Sequence, residues 1–166
     1  MKHSLGAMLL LVAGTCLLTL PIEASAGEDQ AIAEAPVGNV AVLTGDTLRL
    51  GGKEVRLVGI EAPAAGAGCR LHGAPFDCAR IAATALTDLT AGADVECEPA
   101  GRTPQGDIVA RCMAGGYDLS EGMTYTGWAR AWPREGNRYR GFENLARNRG
   151  HGLWRDGLTP PALWQR

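Results

Sequence analysis

The chain has 166 residues, a length that fits one domain, and its formal charge of −2 favours no particular class of partner. Beyond residue 26 no stretch is apolar and long enough to cross a bilayer, which excludes a membrane span outside those first residues. The charge is unevenly distributed, because acids outnumber bases from 27 to 127 whereas arginine dominates after Trp128. A basic C-terminal third can attract polyanions, although a solvated helix face explains the same pattern.

Residues 1–26 have the pattern of a secretory signal peptide. The apolar run "LGAMLLLVAGTCLLTL" follows a short polar start, and "ASA" at 24–26 is a small-residue cleavage site. We therefore expect an exported chain, periplasmic or secreted, cleaved after Ala26; a membrane anchor is the alternative. The acidic, alanine-rich residues 27–37 predict a flexible leader, followed by one domain at 38–158 and a C-terminal tail at 159–166.

Five runs of residues predict strands. The segment "NVAVLTGDTLRLGGKEVRLVGIEAP" holds three of them, with Leu48 and Leu50 alternating with polar residues before a turn at "GGK". After a glycine-rich loop and a helical stretch, "DVECEP" and "DIVARCMAGG" predict two more strands, joined by the loop "AGRTPQG".

Three further stretches predict helices. "CARIAATALTDLTAG" has apolar residues at helical spacing and ends at Gly92, which suits a helix C-terminus. "LSEGMTYTGW" predicts a short helix capped by Ser120, and "RYRGFENLARNRGHGLW" predicts a helix with an apolar stripe at Phe142 and Leu145. The order of elements predicts a mainly β (α+β) fold: a small antiparallel five-stranded barrel with three helices, for which the OB-fold is the leading candidate.

The cysteines predict two disulfides. Cys16 leaves with the signal peptide, and four cysteines remain in an oxidising compartment, which allows three pairings. We favour Cys69–Cys78, which closes a short loop, and Cys97–Cys112, which joins two adjacent strands. A zinc site is the alternative, but the chain has no C-x-x-C spacing.

The hairpin geometry brings two acids together. Asp46 enters the second predicted strand and Glu61 leaves the third, so both carboxylates lie at the same end of an antiparallel pair. Arg56 faces away from the apolar side of its strand. Two carboxylates beside a guanidinium suit calcium and a phosphate, with Thr47 and the Ala62 carbonyl completing the shell. The alternative is a turn aspartate next to a surface arginine.

The ordered set of motifs resembles the thermonuclease family, the staphylococcal-nuclease-like domains. The motifs are "GDTLRL", "VRLVGIEAP", "FDCARIAATAL", "DVECEP", "GDIVARC" and "RGHGLW", and the resemblance covers about residues 38 to 155. It implies an OB-fold barrel with three helices. For active members it also implies calcium-dependent cleavage of DNA and RNA phosphodiester bonds.

The resemblance assigns roles to particular residues. Asp46 and Glu61 match the family's two calcium-binding acids, and Ala62 stands where the family supplies a backbone carbonyl to the ion. Arg56 matches the arginine that grips the phosphate. Thr44 replaces a further acid that opens the family's "DGD" motif, and Glu61 replaces a residue that is usually aspartate.

Two positions depart from the family at the reaction itself. Ala64 stands where a glutamate orients or deprotonates the attacking water, and Asp107 replaces an arginine that stabilises the transition state. Losing a general base typically costs ~10²–10⁴-fold in rate, and losing an electrostatic donor costs on the order of 10²–10³-fold. We therefore predict a catalytically impaired monomer that retains a weak calcium and phosphate site and binds single-stranded nucleic acid or another polyanion.

Two other functions stay open. The first is an active calcium-dependent nuclease that uses substitute residues, for which the candidates are Arg102, Glu54, Asp77 and His72. The second is a structural or partner-binding barrel without a nucleic-acid role, which the acidic first two-thirds of the chain would suit. The four tryptophans suggest core and lid aromatics, with a base-stacking platform as the minority interpretation.

Overall fold

The computed structural model describes residues 34–35, 40–132 and 136–164. The predicted signal peptide and most of the predicted leader lie outside these ranges, as does Arg134. Within the ranges, none of the helices combines the length and the apolar character that crossing a membrane requires.

The described elements alternate strands with a few short helices. The strands are β1 Glu34–Ala35, β2 Val40–Thr44, β3 Thr47–Leu50, β4 Lys53–Leu57, β5 Ile60–Glu61, β6 Arg70–Leu71, β7 Ala74–Pro75, β8 Val95–Arg102, β9 Ile108–Ala114, β10 Tyr117–Asp118, β11 Arg130–Ala131 and β12 Leu158–Thr159. The α-helices are α1 Cys78–Thr90, α2 Leu119–Tyr125 and α3 Arg140–Arg149, and short 3-10 turns span Gly136–Arg138, Gly152–Trp154 and Ala162–Trp164.

One curled sheet forms the centre of the fold. Its strand order is β1-β8-β9-β4-β3-β2, with β10 paired to β9. The five predicted strands correspond to β2, β3, β4, β8 and β9, and the predicted mainly β class with three helices is confirmed as a mixed half-barrel. The predicted antiparallel arrangement is wrong at one pair, because β4 and β9 run parallel. The helix α1 and the returning strand β8 lie between them in the chain, so β9 enters the sheet in the same direction as β4.

Glu34–Ala35 lies inside the predicted flexible leader, yet it adds a short strand to the outer edge of β8. At the other end of the chain, Trp164 belongs to the predicted tail, yet only 5% of its surface is exposed. The described structure therefore extends beyond both ends of the predicted domain at 38–158, although the division of the chain into domains stays a prediction.

The main core lies between the sheet and α1. Alternate residues of β9 are buried, as the period of a strand with one covered face requires. Leu48 and Val55 of the hairpin and Leu86 of α1 are fully buried against them. Cys97 and Cys112 face each other across β8 and β9 and form a disulfide within this core, with their Cα atoms 4.1 Å apart. This predicted pairing is confirmed.

A second, smaller core lies under the loop that follows β5. The Cys69–Cys78 disulfide, with its Cα atoms 6.0 Å apart, packs with Leu153 and Trp164. The hairpin β6–β7 pairs with β12, which ties the loop to the C-terminal segment. This second predicted disulfide is also confirmed, and it begins five residues after Ala64 in the sequence.

The helix ends differ in part from the prediction. Gly92 follows α1 with a φ of 68°, the left-handed conformation expected after a helix C-terminus. The N-cap of α2 is Asp118, whose Oδ1 accepts the backbone N–H groups of Ser120 (2.9 Å) and Glu121 (3.2 Å). The predicted Ser120 cap is wrong, because that side chain is buried and its hydroxyl donates to the Val58 carbonyl at 2.9 Å.

The buried face of α3 also differs from the prediction. Leu145 is 41% exposed, whereas Glu143 and Ala146 are buried. Glu143 is accommodated because its Oε2 accepts the backbone N–H of Ala131 at 3.0 Å and its Oε1 accepts two N–H groups of Arg147. The apolar pattern could not show this, since a buried acid with partners interrupts it.

Candidate functional site

The tight turn between β2 and β3 positions the first candidate residue. A Cβ atom at Gly45 would lie 2.6 Å from the Cβ of Ala82 and 2.7 Å from that of Ala62, so only glycine lets this turn pack against α1 and the end of β5. The Asp46 carbonyl accepts the backbone N–H of Leu57 at 2.8 Å. The turn therefore holds Asp46 against the end of β4, the strand that carries Arg56.

Donor groups surround the carboxylate of Asp46, a residue that is 8% exposed. Its Oδ1 accepts the hydroxyls of Thr44 at 2.8 Å and Thr47 at 3.0 Å, and its Oδ2 accepts the backbone N–H of Ala62 at 3.0 Å. The Nη2 of Arg56 lies 3.6 Å from Oδ2. The structure thus brings together the predicted Asp46, Arg56, Thr47 and Ala62, with the last two as hydrogen-bond donors to the acid.

Glu61 is held by an arginine that the sequence analysis did not single out. Strand register places Arg130 of β11 directly opposite Glu61 of β5. The Nε and Nη2 of Arg130 each lie 2.7 Å from Oε2 of Glu61, and the two side chains are 16% and 23% exposed. The arginine-rich composition after Trp128 was the only available signal, and it does not distinguish Arg130 from its neighbours.

Arg56 opens onto a cavity of 370 Å³ that also exposes the side of β9. The side chain of Arg56 is 39% exposed, so its guanidinium is accessible from solvent. Arg102, predicted as a substitute cation, lines the same cavity, as do Gln105 and Trp132. Two guanidinium groups and an indole around one cavity can bind a phosphate and stack a planar ring.

Neither of the two substituted positions, Ala64 and Asp107, is among the residues that line the Arg56 cavity. Ala64 is exposed and directly follows the buried Pro63, so position 64 presents a methyl group to solvent. Asp107 is exposed, and its Oδ2 accepts the Thr103 hydroxyl at 3.2 Å while the Thr103 Oγ1 accepts its backbone N–H at 3.1 Å. These two hydrogen bonds tie Asp107 to Thr103 within the loop that joins β8 and β9. Its role as a lost catalytic position stays a prediction.

The other substitute residues do not line this cavity. Glu54 pairs with Arg49 at 2.8 Å on the exposed side of the hairpin, and Asp77 caps α1. The backbone N–H of His72 donates to the Gly157 carbonyl at 2.6 Å, in the hairpin that joins β12. Of the predicted substitutes, Arg102 is the one that lines the cavity with Arg56.

Donor groups of the protein compete with calcium for the oxygens of the two acids. Calcium takes six to eight oxygen ligands, and each of them binds through a lone pair. The oxygens of Asp46 accept three hydrogen bonds. Oε2 of Glu61 accepts one from Arg130 Nε and lies 2.7 Å from Arg130 Nη2. In the part of the chain that the structure describes, no three His, Cys, Asp or Glu side chains gather closely enough to hold a metal. The calcium ligands Asp46, Glu61 and Ala62 stay a prediction.

One family model and one known protein are similar to this chain. Residues 54–156 match the family model described as staphylococcal nuclease homologue. The succinoglycan biosynthesis protein ExoI of Rhizobium meliloti (strain 1021) is 33% identical over 132 residues, which cover 76% of this chain and 69% of that protein. The family match includes Arg56, Glu61, Ala64 and Asp107, whereas Asp46 precedes it.

Proposed function

Because the chain belongs to the family of staphylococcal nuclease homologues, we propose that it is an exported member that binds single-stranded nucleic acid and hydrolyses it slowly or not at all. The observation that carries the proposal is the cavity that Arg56, Arg102 and Trp132 share. Family members in general bind nucleic acid and depend on calcium, so the ligand class follows the family while the loss of hydrolysis is specific to this chain.

The chemistry of the cavity suits one nucleotide of a single strand. A guanidinium binds two phosphate oxygens with a planar pair of N–H groups, and Arg56 and Arg102 approach one cavity from β4 and from the end of β8. Trp132 can stack on a base, which requires a base that is not already stacked in a duplex. The volume of 370 Å³ lies in the range typical of small-ligand pockets, roughly 300–1,000 Å³.

The expected loss of hydrolysis follows from Ala64 and Asp107. Alanine has no lone pair with which to position or deprotonate a water molecule. Asp107 is negative where an arginine would balance the growing charge of the phosphoryl group, and its carboxylate is tied to Thr103. Because both effects act in one step, their separate factors need not multiply.

Export is supported by two independent features. The first 26 residues carry the signal-peptide pattern, and both disulfides join cysteines of the following chain. Disulfides persist in oxidising compartments and are rare in the cytosol. The disulfides therefore indicate an oxidising environment, and the periplasm or the medium is the proposed location.

The test is fluorescence anisotropy of a labelled single-stranded oligonucleotide with the disulfide-bonded chain purified after export. We expect binding that weakens steeply with salt, because phosphate contacts release counterions. Arg56→Ala and Arg102→Ala should each weaken binding. The matched control is Arg49→Ala, which removes an exposed arginine of the same hairpin that pairs with Glu54. The absence of binding at about 50 mM salt, or binding that does not weaken as the salt concentration rises, would overturn the proposal.

The alternative is an active nuclease, and the position of Arg102 is the observation that favours it. Denatured DNA incubated with calcium, beside a chelated control, distinguishes the two functions. Cleavage at rates ordinary for nucleases, lost with the chelator and lost in Arg102→Ala, would establish the alternative.

The name of the relative suggests a second candidate ligand. ExoI is described as a succinoglycan biosynthesis protein, so a role for this chain in polysaccharide production is open to test. Succinoglycan added to the anisotropy experiment should leave the oligonucleotide bound if nucleic acid is the ligand. Displacement by the polysaccharide together with weak oligonucleotide binding would favour the second candidate.

A further inference from the structure

The two acids of the site each face an arginine of the same chain. Arg56 lies beside Asp46, and Arg130 holds Glu61. The two carboxylates and the two guanidinium groups sum to no net charge, so the pair of acids is neutralised by the protein itself. In a site occupied by a divalent ion, the ion itself supplies the charge that balances the ligating acids.

The surroundings of Asp46 favour hydrogen-bond donors over a metal ion. An ionised carboxylate has about four lone-pair sites, and Thr44, Thr47 and Ala62 occupy three of those of Asp46. Thr44 gives the clearest contrast with a calcium site, because the resemblance implies a further acid at this position. Its hydroxyl donates a hydrogen bond to Asp46, whereas an acid there would add negative charge that only a cation could balance.

Glu61 is held more firmly. Two N–H groups of Arg130 reach Oε2 at 2.7 Å, which is the short distance of charge-assisted hydrogen bonds. Strand register fixes the pair, because Arg130 and Glu61 are directly opposite each other in β11 and β5. The Arg130 guanidinium also lies 5.1 Å from the ring of Trp164, a buried residue of the disulfide-linked second core. The cation is therefore positioned from two sides.

We propose that Arg130, supported by Arg56 and Thr44, is a built-in cation that replaces the calcium ion at this site, so that the chain binds its anionic ligand without calcium. The proposal goes beyond the proposed function, because it concerns calcium affinity whatever ligand the cavity binds. It also gives both acids a structural role, because Glu61 pairs with Arg130 of β11 and Asp46 accepts hydrogen bonds within its turn.

The test is calcium titration of the exported, disulfide-bonded chain by isothermal calorimetry, in parallel with calcium-dependent thermal shifts. For the unmodified chain we expect a dissociation constant weaker than the roughly 10⁻⁴–10⁻³ M of extracellular calcium modules. Arg130→Gln exposes the Glu61 carboxylate, and we expect its calcium affinity to rise by at least about tenfold. Thr44→Asp, at an exposed position, adds an acid beside Asp46 and should also raise the affinity.

The controls identify the source of any gain. Arg49→Gln removes an arginine that pairs with a glutamate in the same hairpin, and it should leave calcium affinity unchanged. Glu61→Gln added to Arg130→Gln should abolish the gain. Thr44→Asp keeps the test decisive if Arg130→Gln does not fold. Millimolar or tighter calcium binding by the unmodified chain, or no gain in either folded variant, would overturn the inference. Oligonucleotide binding should be equal with and without a chelator. Binding that requires calcium would overturn the inference, whereas no binding in either condition would overturn the proposed function alone.

Discussion

Two nearly buried aspartates, Asp46 and Asp118, have similar surroundings, but we assign them different roles. Asp118 is 5% exposed, caps α2, and accepts the Tyr139 hydroxyl at 3.2 Å. Arg111 and Arg138 lie 3.8 Å and 3.9 Å from its Oδ2. Asp46 likewise has backbone, hydroxyl and guanidinium donors. A buried acid surrounded by donors therefore does not identify a functional site. The cavity beside Arg56 distinguishes the Asp46 region.

The largest expected effect is on stability, at Asp118. Asp118→Ala removes an N-cap worth about 1 kcal/mol, the hydrogen bond from Tyr139 and the negative partner of two arginines. We expect the free energy of unfolding to fall by about 3 kcal/mol, measured with urea. Oligonucleotide affinity of the folded protein should not change. A loss of affinity at conditions where the variant is folded would show that the two regions are coupled.

The next largest expected effect is on the rate of cleavage, through changes at Ala64 and Asp107. Ala64→Glu with Asp107→Arg restores a general base and a transition-state cation, and cleavage of denatured DNA should rise on the order of 10²-fold. Adding Arg130→Gln should make this cleavage respond more strongly to calcium. The same Asp107→Arg change alone is the control, because it alters the charge without supplying a base. If the folded double variant cleaves no faster than the unmodified chain, the assignment of these positions is wrong.

The arginines beside the two aspartates should contribute differently to oligonucleotide binding. Arg56→Ala should weaken oligonucleotide binding about tenfold, because its guanidinium is accessible in the cavity. Arg138→Ala removes a more exposed arginine, 56% accessible, near Asp118, and binding should stay within about twofold. Anisotropy titrations at one fixed salt concentration measure both. Equal losses would mean that general charge attracts the ligand and that the cavity is not its site.

Sequence patterns predicted the parts of this molecule that depend on local periodicity. Alternation along β9 and helical spacing in α1 made those elements evident, and Cys97 and Cys112 followed from the adjacency of their strands. The pairing of Glu61 with Arg130 was not predictable, because it joins two-residue strands whose partners are 69 residues apart in the chain. No period marks such short strands. For the same reason the sequence offered Asp46 and Glu61 as candidate acids but not the arginine that pairs with Glu61.

The smallest expected effect is on the pH dependence of stability, and it distinguishes the Asp118 region from the Asp46 region. Burial raises the pKa of the Tyr139 phenol above its ordinary value, and the nearby Asp118 carboxylate raises it further. The folded state therefore favours the protonated phenol. Its contribution is fully present below the ordinary pKa of about 10 and is lost as the pH rises through the higher folded pKa.

Tyr139→Phe should cost about 1 kcal/mol at pH 7, through the lost hydrogen bond to Asp118. Above pH 10 the difference from the unmodified chain should shrink, because phenylalanine does not titrate. Urea unfolding across this range measures it, and parallel pH profiles for the two proteins would contradict the coupling. Oligonucleotide affinity at pH 7 should be the same in both proteins, because we place the binding site at the Asp46 region and assign the Asp118 region a role in stability.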